Sequence, residues 1–250
     1  MNKSSEFAGR SAFVTGAGTG IGAAVARELA SRGAAVALFG RRAEPLQDTA
    51  AAIRADGGKV LVIAGDVANA ENVESAIKKT LAQFGGLHFA VNNAGVDGGT
   101  CKLAEVSVAN WHETLNTNLS GVFFGLKYQI PAILASGGGA IVNVSSVFSD
   151  RGLSQHAAYT ASKHGVHGLT RVAAHDYAAE KIRINELIPG VIDTPMLDTN
   201  RGMVDQMTAF IPQRRLGQPS EVAQTVCFLL GDGASYMTGA RVAVDGGFLI

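Results

Sequence analysis

Neither sign of charge is in surplus in this sequence: Lys+Arg and Asp+Glu both total 21 among 250 residues. No basic excess therefore advertises a nucleic acid or an anionic membrane as partner. Cysteine is scarce. Cys101 and Cys227 make neither a Cys-x-x-Cys pair nor a ligand cluster, and read as two reduced thiols. No apolar run reaches the ~18 residues that would cross a bilayer, and the opening MNKSSEFAG has no apolar signal core. The expectation is a soluble, cytoplasmic protein. Repeats, low-complexity linkers and charge runs are also missing, so residues 1–250 are expected to form one domain. Charged residues are only 17% of the chain and hydrophobic ones 47%, which implies much buried surface, some of it between subunits.

What is present is alternation. Short apolar or β-branched runs recur at 11–15, 34–39, 59–64, 88–92, 140–145, 183–188 and 240–245. Several are apolar at consecutive positions, as strands are when helices cover both sheet faces. Amphipathic stretches such as 21–33 and 70–85 lie between them. Strand–helix alternation at this spacing predicts a parallel, doubly wound α/β sheet with right-handed crossovers.

The first run leads into FVTGAGTGIGAAVARELA, with Gly16, Gly18, Gly20 and Gly22 between a strand and a helix. Glycines here let the backbone turn sharply and approach a ligand, and a helix N-terminus offers free N–H groups to phosphate. A Walker-type loop would need Lys-Ser/Thr after its last glycine; Ala23-Ala24 stands there, which disfavours an NTPase. Gly18-x-Gly20-x-x-Ala23 matches the common dinucleotide fingerprint only weakly. Thr15-Gly16-x-x-x-Gly20-Ile21-Gly22 resembles, much more closely, the compact single-domain branch of the short-chain dehydrogenase/reductase family. The resemblance runs to the terminal VAVDGGFLI and implies a Rossmann fold with a seven-stranded parallel sheet and helices on both faces. It also implies that Gly16, Thr19, Gly20, Ile21 and Gly22 cradle a nicotinamide dinucleotide.

The second run ends Leu38-Phe39-Gly40-Arg41-Arg42, with no carboxylate where one would bind an adenosine 2′-hydroxyl. Two guanidiniums suit a 2′-phosphate, so NADP is expected over NAD. That Arg41 and Arg42 merely begin a solvated helix stays open, and Thr19 holds the loop position where NADP-preferring members often carry a basic residue. By resemblance, Asp66 and Val67 would contact the adenine, and Asp66 could also cap the following helix. Asn92-Asn93-Ala94-Gly95 matches the family's N-N-A-G pattern; Asn93, Ala94 and Gly95 would line the cofactor. Pro189 and Gly190, with Ile192 and Thr194, resemble the segment beside the nicotinamide carboxamide.

In QHAAYTASKHG, Tyr159 and Lys163 are four residues apart and share a helix face. Spacing alone does not single them out, because Tyr177 and Lys181 repeat it and read as a surface or interface helix pair. Context does: a hydroxyl stands just past the fifth run, at Ser145 or Ser146, and the family's spacing selects Ser146, thirteen residues before Tyr159. Asn118 in LNTNLSG is the fourth member that the resemblance implies. A free phenol, of pKa about 10, is a poor base near neutrality. A nearby ammonium and an oxidised nicotinamide would lower that value. By resemblance, Tyr159 is the general acid/base, and Lys163 tunes it and holds the nicotinamide ribose. Ser146 bonds the substrate oxygen, and Asn118 holds a water that links Lys163 to solvent. The scheme requires no metal. His164 and His167 are i and i+3 but lack an evident third ligand.

Residues 194–215 are expected to form a small lid. Met196, Leu197, Met203, Met207 and Phe210 read either as its apolar wall or as the inner face of an ordinary helix. The loops 96–101 and 147–156 should border the mouth. The reading is an NAD(P)-dependent oxidoreductase that interconverts a secondary alcohol and a ketone; the alternative is a catalytically silent dinucleotide-binding regulator. The small-molecule substrate, whether cyclic alcohol, sugar, steroid or acyl thioester, stays open. A homotetramer, packed through residues 107–135 and 156–179, is implied by the family.

Overall fold

The computed structural model describes residues 6–250, apart from the side chains of Thr199, Asn200, Arg201 and Met203. Seven strands, β1 (Ser11–Thr15), β2 (Ala35–Gly40), β3 (Val60–Ala64), β4 (Phe89–Asn92), β5 (Gly139–Val144), β6 (Ile182–Pro189) and β7 (Arg241–Val244), make one sheet in the order β3-β2-β1-β4-β5-β6-β7. Every pairing is parallel. The chain builds outward from β1 to β3 and then crosses back to lay β4 on the other side of β1. That reversal opens a crevice at the carboxyl ends of β1 and β4, where open α/β sheets bind ligands.

The central strands are buried on both faces, and successive residues serve opposite cores. Val14 joins the core made with α1 (Gly20–Ser31), α2 (Ala43–Ala55) and α8 (Pro219–Leu230). Phe13 joins the core made with α3 (Ala70–Phe84), α5 (Gly121–Ala135) and α6 (Ala157–Tyr177). The Asn69 side chain accepts from the Asn72 N–H to start α3, and Gly85, at φ 77°, stops it in the left-handed conformation that glycine adopts freely.

One sequence expectation needs correction, at the end of α6. The stretch 107–135 is helical from Val108 to Ala135, with α4 (Val108–Leu115) and α5 joined through a π-helical turn, Asn116–Ser120. Such turns place an extra residue in the helical ladder and collect at functional positions. Tyr177 and Lys181 are not a helix pair, because α6 ends at Tyr177 and Lys181 lies beyond it at φ 59°. The segment after β6 carries a 3-10 run, Pro195–Met203, and α7 (Val204–Ala209). Among the described residues, no helix is long and apolar enough to cross a membrane.

Candidate active site

A cleft of about 700 Å³ runs along the carboxyl edge of the sheet. At one end the chain presents backbone. Gly16 and Gly20 sit at φ 65° and 54°, the left-handed region, and a Cβ on Gly22 would lie 2.2 Å from the Gly16 carbonyl. Glycine is therefore required for the first turn of α1 to close against β1. Thr19 is the N-cap residue of α1 but makes no side-chain cap bond, so the first N–H groups of the helix are left for a ligand. Thr15 stitches this loop to the N-N-A-G turn: its hydroxyl accepts from the Asn93 and Ala94 N–H groups at 2.9 and 3.0 Å, and Asn93 Nδ2 donates to the Thr15 carbonyl at 3.0 Å. A cradle that a Cβ would fill, beside a helix N-terminus, fits the pyrophosphate of a dinucleotide.

Gly16, Thr19, Gly20, Ile21, Arg41, Arg42, Asp66, Val67, Asn93, Ala94 and Gly95 all line the cleft, as do Pro189, Gly190, Ile192 and Thr194. Gly22 does not; its part is the close contact just described. Arg41 and Arg42 are exposed at the far mouth, and Arg42 is the N-cap of α2. Asp66 Oδ1 accepts from the Ala68 N–H at 3.0 Å, a local turn. It does not cap α3, because Asn69 takes that place.

At the other end the cleft meets side chains. Ser146, Tyr159 and Lys163 all line it. Lys163 is 4% exposed; its Nζ donates to the Val144 carbonyl at 3.1 Å and stands 5.6 Å from the centre of the Tyr159 ring. Burial pushes the ammonium down to a pKa of about 8, against a raising effect from the Glu186 carboxylate. The Tyr159 phenol moves up from 10, chiefly by burial, with Ser146 pulling it down and the charge of Asp97 pushing it further up. The protein's own groups thus do not lower the phenol on balance, because desolvation outweighs the hydrogen bond from Ser146. The remaining contribution expected there is the positive ring of an oxidised nicotinamide.

Asn118 lies in the π turn and does not line the cleft. Its Oδ1 accepts from the Val96 N–H at 2.8 Å, and its Nδ2 donates to the Val96 carbonyl at 2.9 Å and to Ser162 Oγ at 3.1 Å. The side chain is spent on clamping the loop after β4, so any water that Asn118 holds must use its main chain. A Cβ on Gly95 would fall 3.3 Å from Asn118 Oδ1 and 3.8 Å from Lys163 Nζ, which puts the two side chains around one glycine.

The chain matches the family model described as enoyl-(acyl carrier protein) reductase over residues 16–249. It is 42% identical to cyclohexanol dehydrogenase of Acinetobacter sp. (strain SE19), over 98% of this chain and 97% of that protein. It is 43% identical to cis-4-hydroxycyclohexanecarboxylate dehydrogenase of Sinomonas cyclohexanicum, over 97% of each. A crystal structure of a short-chain type dehydrogenase/reductase from Mycobacterium marinum superposes with a TM-score of 0.94 at 32% identity, over 97% of this chain and 96% of that one. The chain belongs to the short-chain dehydrogenase/reductase family. It is an NAD(P)-dependent oxidoreductase, and Tyr159 stands where such an enzyme keeps its tyrosine.

Several residues of this short-chain dehydrogenase escaped the sequence reading. Phe248, two residues before the last, lines the substrate end. Its ring stands edge-on to Phe148 at 6.0 Å, and Phe148 stands edge-on to Tyr159 at 6.5 Å. No local pattern flags Phe248, because its neighbours come from elsewhere in the chain. Met196, Leu197, Met207 and Phe210 line the cleft as a wall would; Met203 lies outside the described side chains. Of the bordering loops, Asp97, Thr100, Phe148 and residues 153–156 reach the cleft. Asp150 pairs with Arg241 instead, and Arg151 lies over Phe248. His156 is the N-cap residue of α6 and makes no side-chain cap bond. Among the described residues, no His/Cys/Asp/Glu group could hold a metal ion.

Proposed function

We propose that this enzyme interconverts a neutral alicyclic secondary alcohol and its ketone, with NADP preferred to NAD. The observation that carries the reading is that Ser146, Tyr159 and Lys163 meet at one end of a single cleft whose other end carries Arg41 and Arg42. Bound NADP or NADPH supplies the acceptor or donor for a hydride at the reacting carbon. Tyr159 takes the proton from the alcohol oxygen, or gives it to the ketone oxygen, and the Ser146 hydroxyl bonds that oxygen as charge develops. The Lys163 ammonium opposes the build-up of a proton on the phenolate and holds the nicotinamide ribose. Asn118 keeps the 96–100 loop against α6. Gly16, Thr19, Gly20 and Ile21 receive the pyrophosphate, Asp66 and Val67 the adenine, and Ile192 and Thr194 the carboxamide. Residues 194–215 serve as the lid.

Three features support the substrate class. The named relatives act on cyclohexane rings. The wall around Tyr159 is apolar and aromatic, from Phe148, Phe248, Met196, Met207 and Phe210. Among its described residues the one acidic or basic group other than Lys163 and His156 is Asp97, which repels a carboxylate or phosphate on the substrate. For NADP, Arg41 and Arg42 offer planar forks to a 2′-phosphate, and no acid ends β2. The test is initial rates with cyclohexanol and with cis-4-hydroxycyclohexanecarboxylate, each with NADP and NAD. The reading expects the neutral ring with NADP to give the highest kcat/KM. Preference for the carboxylate overturns the substrate class, and preference for NAD overturns the cofactor assignment. We also propose a homotetramer, supported by Phe123 on α5 and Val172 on α6, which are 46% and 60% exposed. Light scattering that returns a monomer refutes it.

A further inference from the structure

One transverse row of the sheet is polar across four strands. Asn92, Asn143, Glu186 and Arg241 stand side by side in register on β4, β5, β6 and β7. The first two are satisfied neutral groups. Asn92 Nδ2 donates to Gln129 Oε1 at 3.0 Å and to Asn143 Oδ1 at 2.9 Å, and Asn143 Nδ2 donates to Thr170 Oγ1 at 2.9 Å. They pin α5 and α6 to the sheet. Glu186 is different. It is 0% exposed, its Oε2 is bonded to His167 Nδ1 at 2.7 Å and accepts from Arg241 Nε at 3.1 Å, and its Oε1 has no hydrogen-bond partner. Stability is a poor reason for such a group, because a buried ion pair can usually be replaced by apolar residues at no loss.

Its surroundings lead to the reaction centre by two routes. On α6, Tyr159, Lys163 and His167 follow at four-residue intervals on one face, so the helix residue that bonds Glu186 is one turn past the buried lysine. Across the sheet, Arg241 donates to Glu186, to Asp150 Oδ1 at 2.6 Å and to Ser149 Oγ at 3.1 Å. The Ser149 hydroxyl in turn donates to the Ser146 carbonyl at 2.8 Å. The charged or titratable groups facing this cluster are Tyr159, Lys163 and His167 from α6, Glu186 from β6, Arg241 from β7, Asp150 from the turn after β5 and Asp97 from the loop after β4.

We propose that Glu186 is a positioning residue for the proton-handling set: through Arg241 it fixes the turn that carries Ser146, and its charge sustains the Lys163 ammonium. The carboxylate touches no reacting atom. It acts by holding the serine loop in register with α6 and by offsetting the desolvation of a lysine that must stay charged to work.

Two variants separate the two arms. In protein labelled at lysine Cε, the resonance absent from Lys163→Met reports the Lys163 titration without any substrate, and in Glu186→Gln its midpoint moves down by about one pH unit. In Ser149→Ala, kcat for cyclohexanone reduction by NADPH falls about tenfold, while the KM for NADPH and the lysine midpoint stay where they are. An unshifted midpoint in Glu186→Gln overturns the proposal, as does an unchanged kcat in Ser149→Ala. Should Glu186→Gln fail to fold, the Ser149→Ala result decides. The second arm rests on the substrate reading above: a wild type that is inactive on cyclohexanone sinks that reading, and the lysine titration still decides on Glu186.

Discussion

At the dinucleotide end of the cleft the chain offers backbone, and at the substrate end it offers side chains. Gly22 leaves no room for a Cβ, Gly16 and Gly20 take left-handed φ values, and the loop they form is tied by Thr15 to the turn after β4. These pieces come from strand ends whose places the parallel register fixes, Thr15 beside Phe39 and Val14 beside Val91. The opposite wall is gathered from stretches far apart in the chain: 97–100, 148–156, 196–210 and Phe248. A backbone site is specific through its shape and fails as a whole when one atom is added. A wall of separate side chains can be altered piece by piece, and so can carry specificity for a substrate while the cofactor site stays constant.

The largest effect that would sharpen this contrast is at Gly22. Gly22→Ala puts a methyl group 2.2 Å from the Gly16 carbonyl and 2.6 Å from Asn93 Nδ2. It should cost about 2–3 kcal/mol in chemical denaturation and abolish dinucleotide binding in calorimetry. Lys163, where the two ends meet, should show opposite signs for activity and stability. Lys163→Met is expected to cut kcat about a hundredfold or more. It should also stabilise the fold near neutral pH by about 2 kcal/mol, the relieved desolvation less the lost bond to the Val144 carbonyl. Because the folded-state pKa is depressed from 10.5 to about 8, the unfolded chain binds more protons between those values. The wild type therefore gains stability as pH rises through that window, and the advantage of the methionine variant is full below pH 8 and gone by 10.5. Arg42→Ala should raise the KM for NADP about tenfold and leave that for NAD unmoved. The smallest effect belongs to the substrate wall: Phe248→Ala should lower kcat/KM for cyclohexanol about fivefold. The same variant should raise the rate with 4-tert-butylcyclohexanol and leave both cofactor KM values alone. A Phe248 variant that lost cofactor binding, or a Gly22 variant that kept it, would break the comparison.

The same division governs what the sequence let one read. All seven strands were legible to within a residue, for SAFVT as for RINELI, and in the central ones burial on both faces writes itself as consecutive apolar positions. The glycine loop and the Ser146, Tyr159 and Lys163 set were legible through their resemblance to the family's motifs, and they line one cleft. The π turn at Asn116–Ser120 was not, since it adds a single residue to an otherwise continuous helix. Nor was the Glu186–Arg241–Ser149 path, whose partners meet only through strand register. Phe248 and Phe148 become neighbours only when the C-terminal turn folds back beside the turn after β5. The upward push on the Tyr159 phenol was hidden for a related reason: helical spacing reveals the lysine but not how deeply the cleft desolvates both groups.

The most direct test compares wild type with Tyr159→Phe, which removes one oxygen from a half-buried ring. Calorimetric titration with NADP and turnover of the best alcohol substrate are measured on the same preparations. The account predicts NADP binding within about twofold of wild type and kcat lower by about a thousandfold. Turnover that survives the substitution while binding is intact would contradict it.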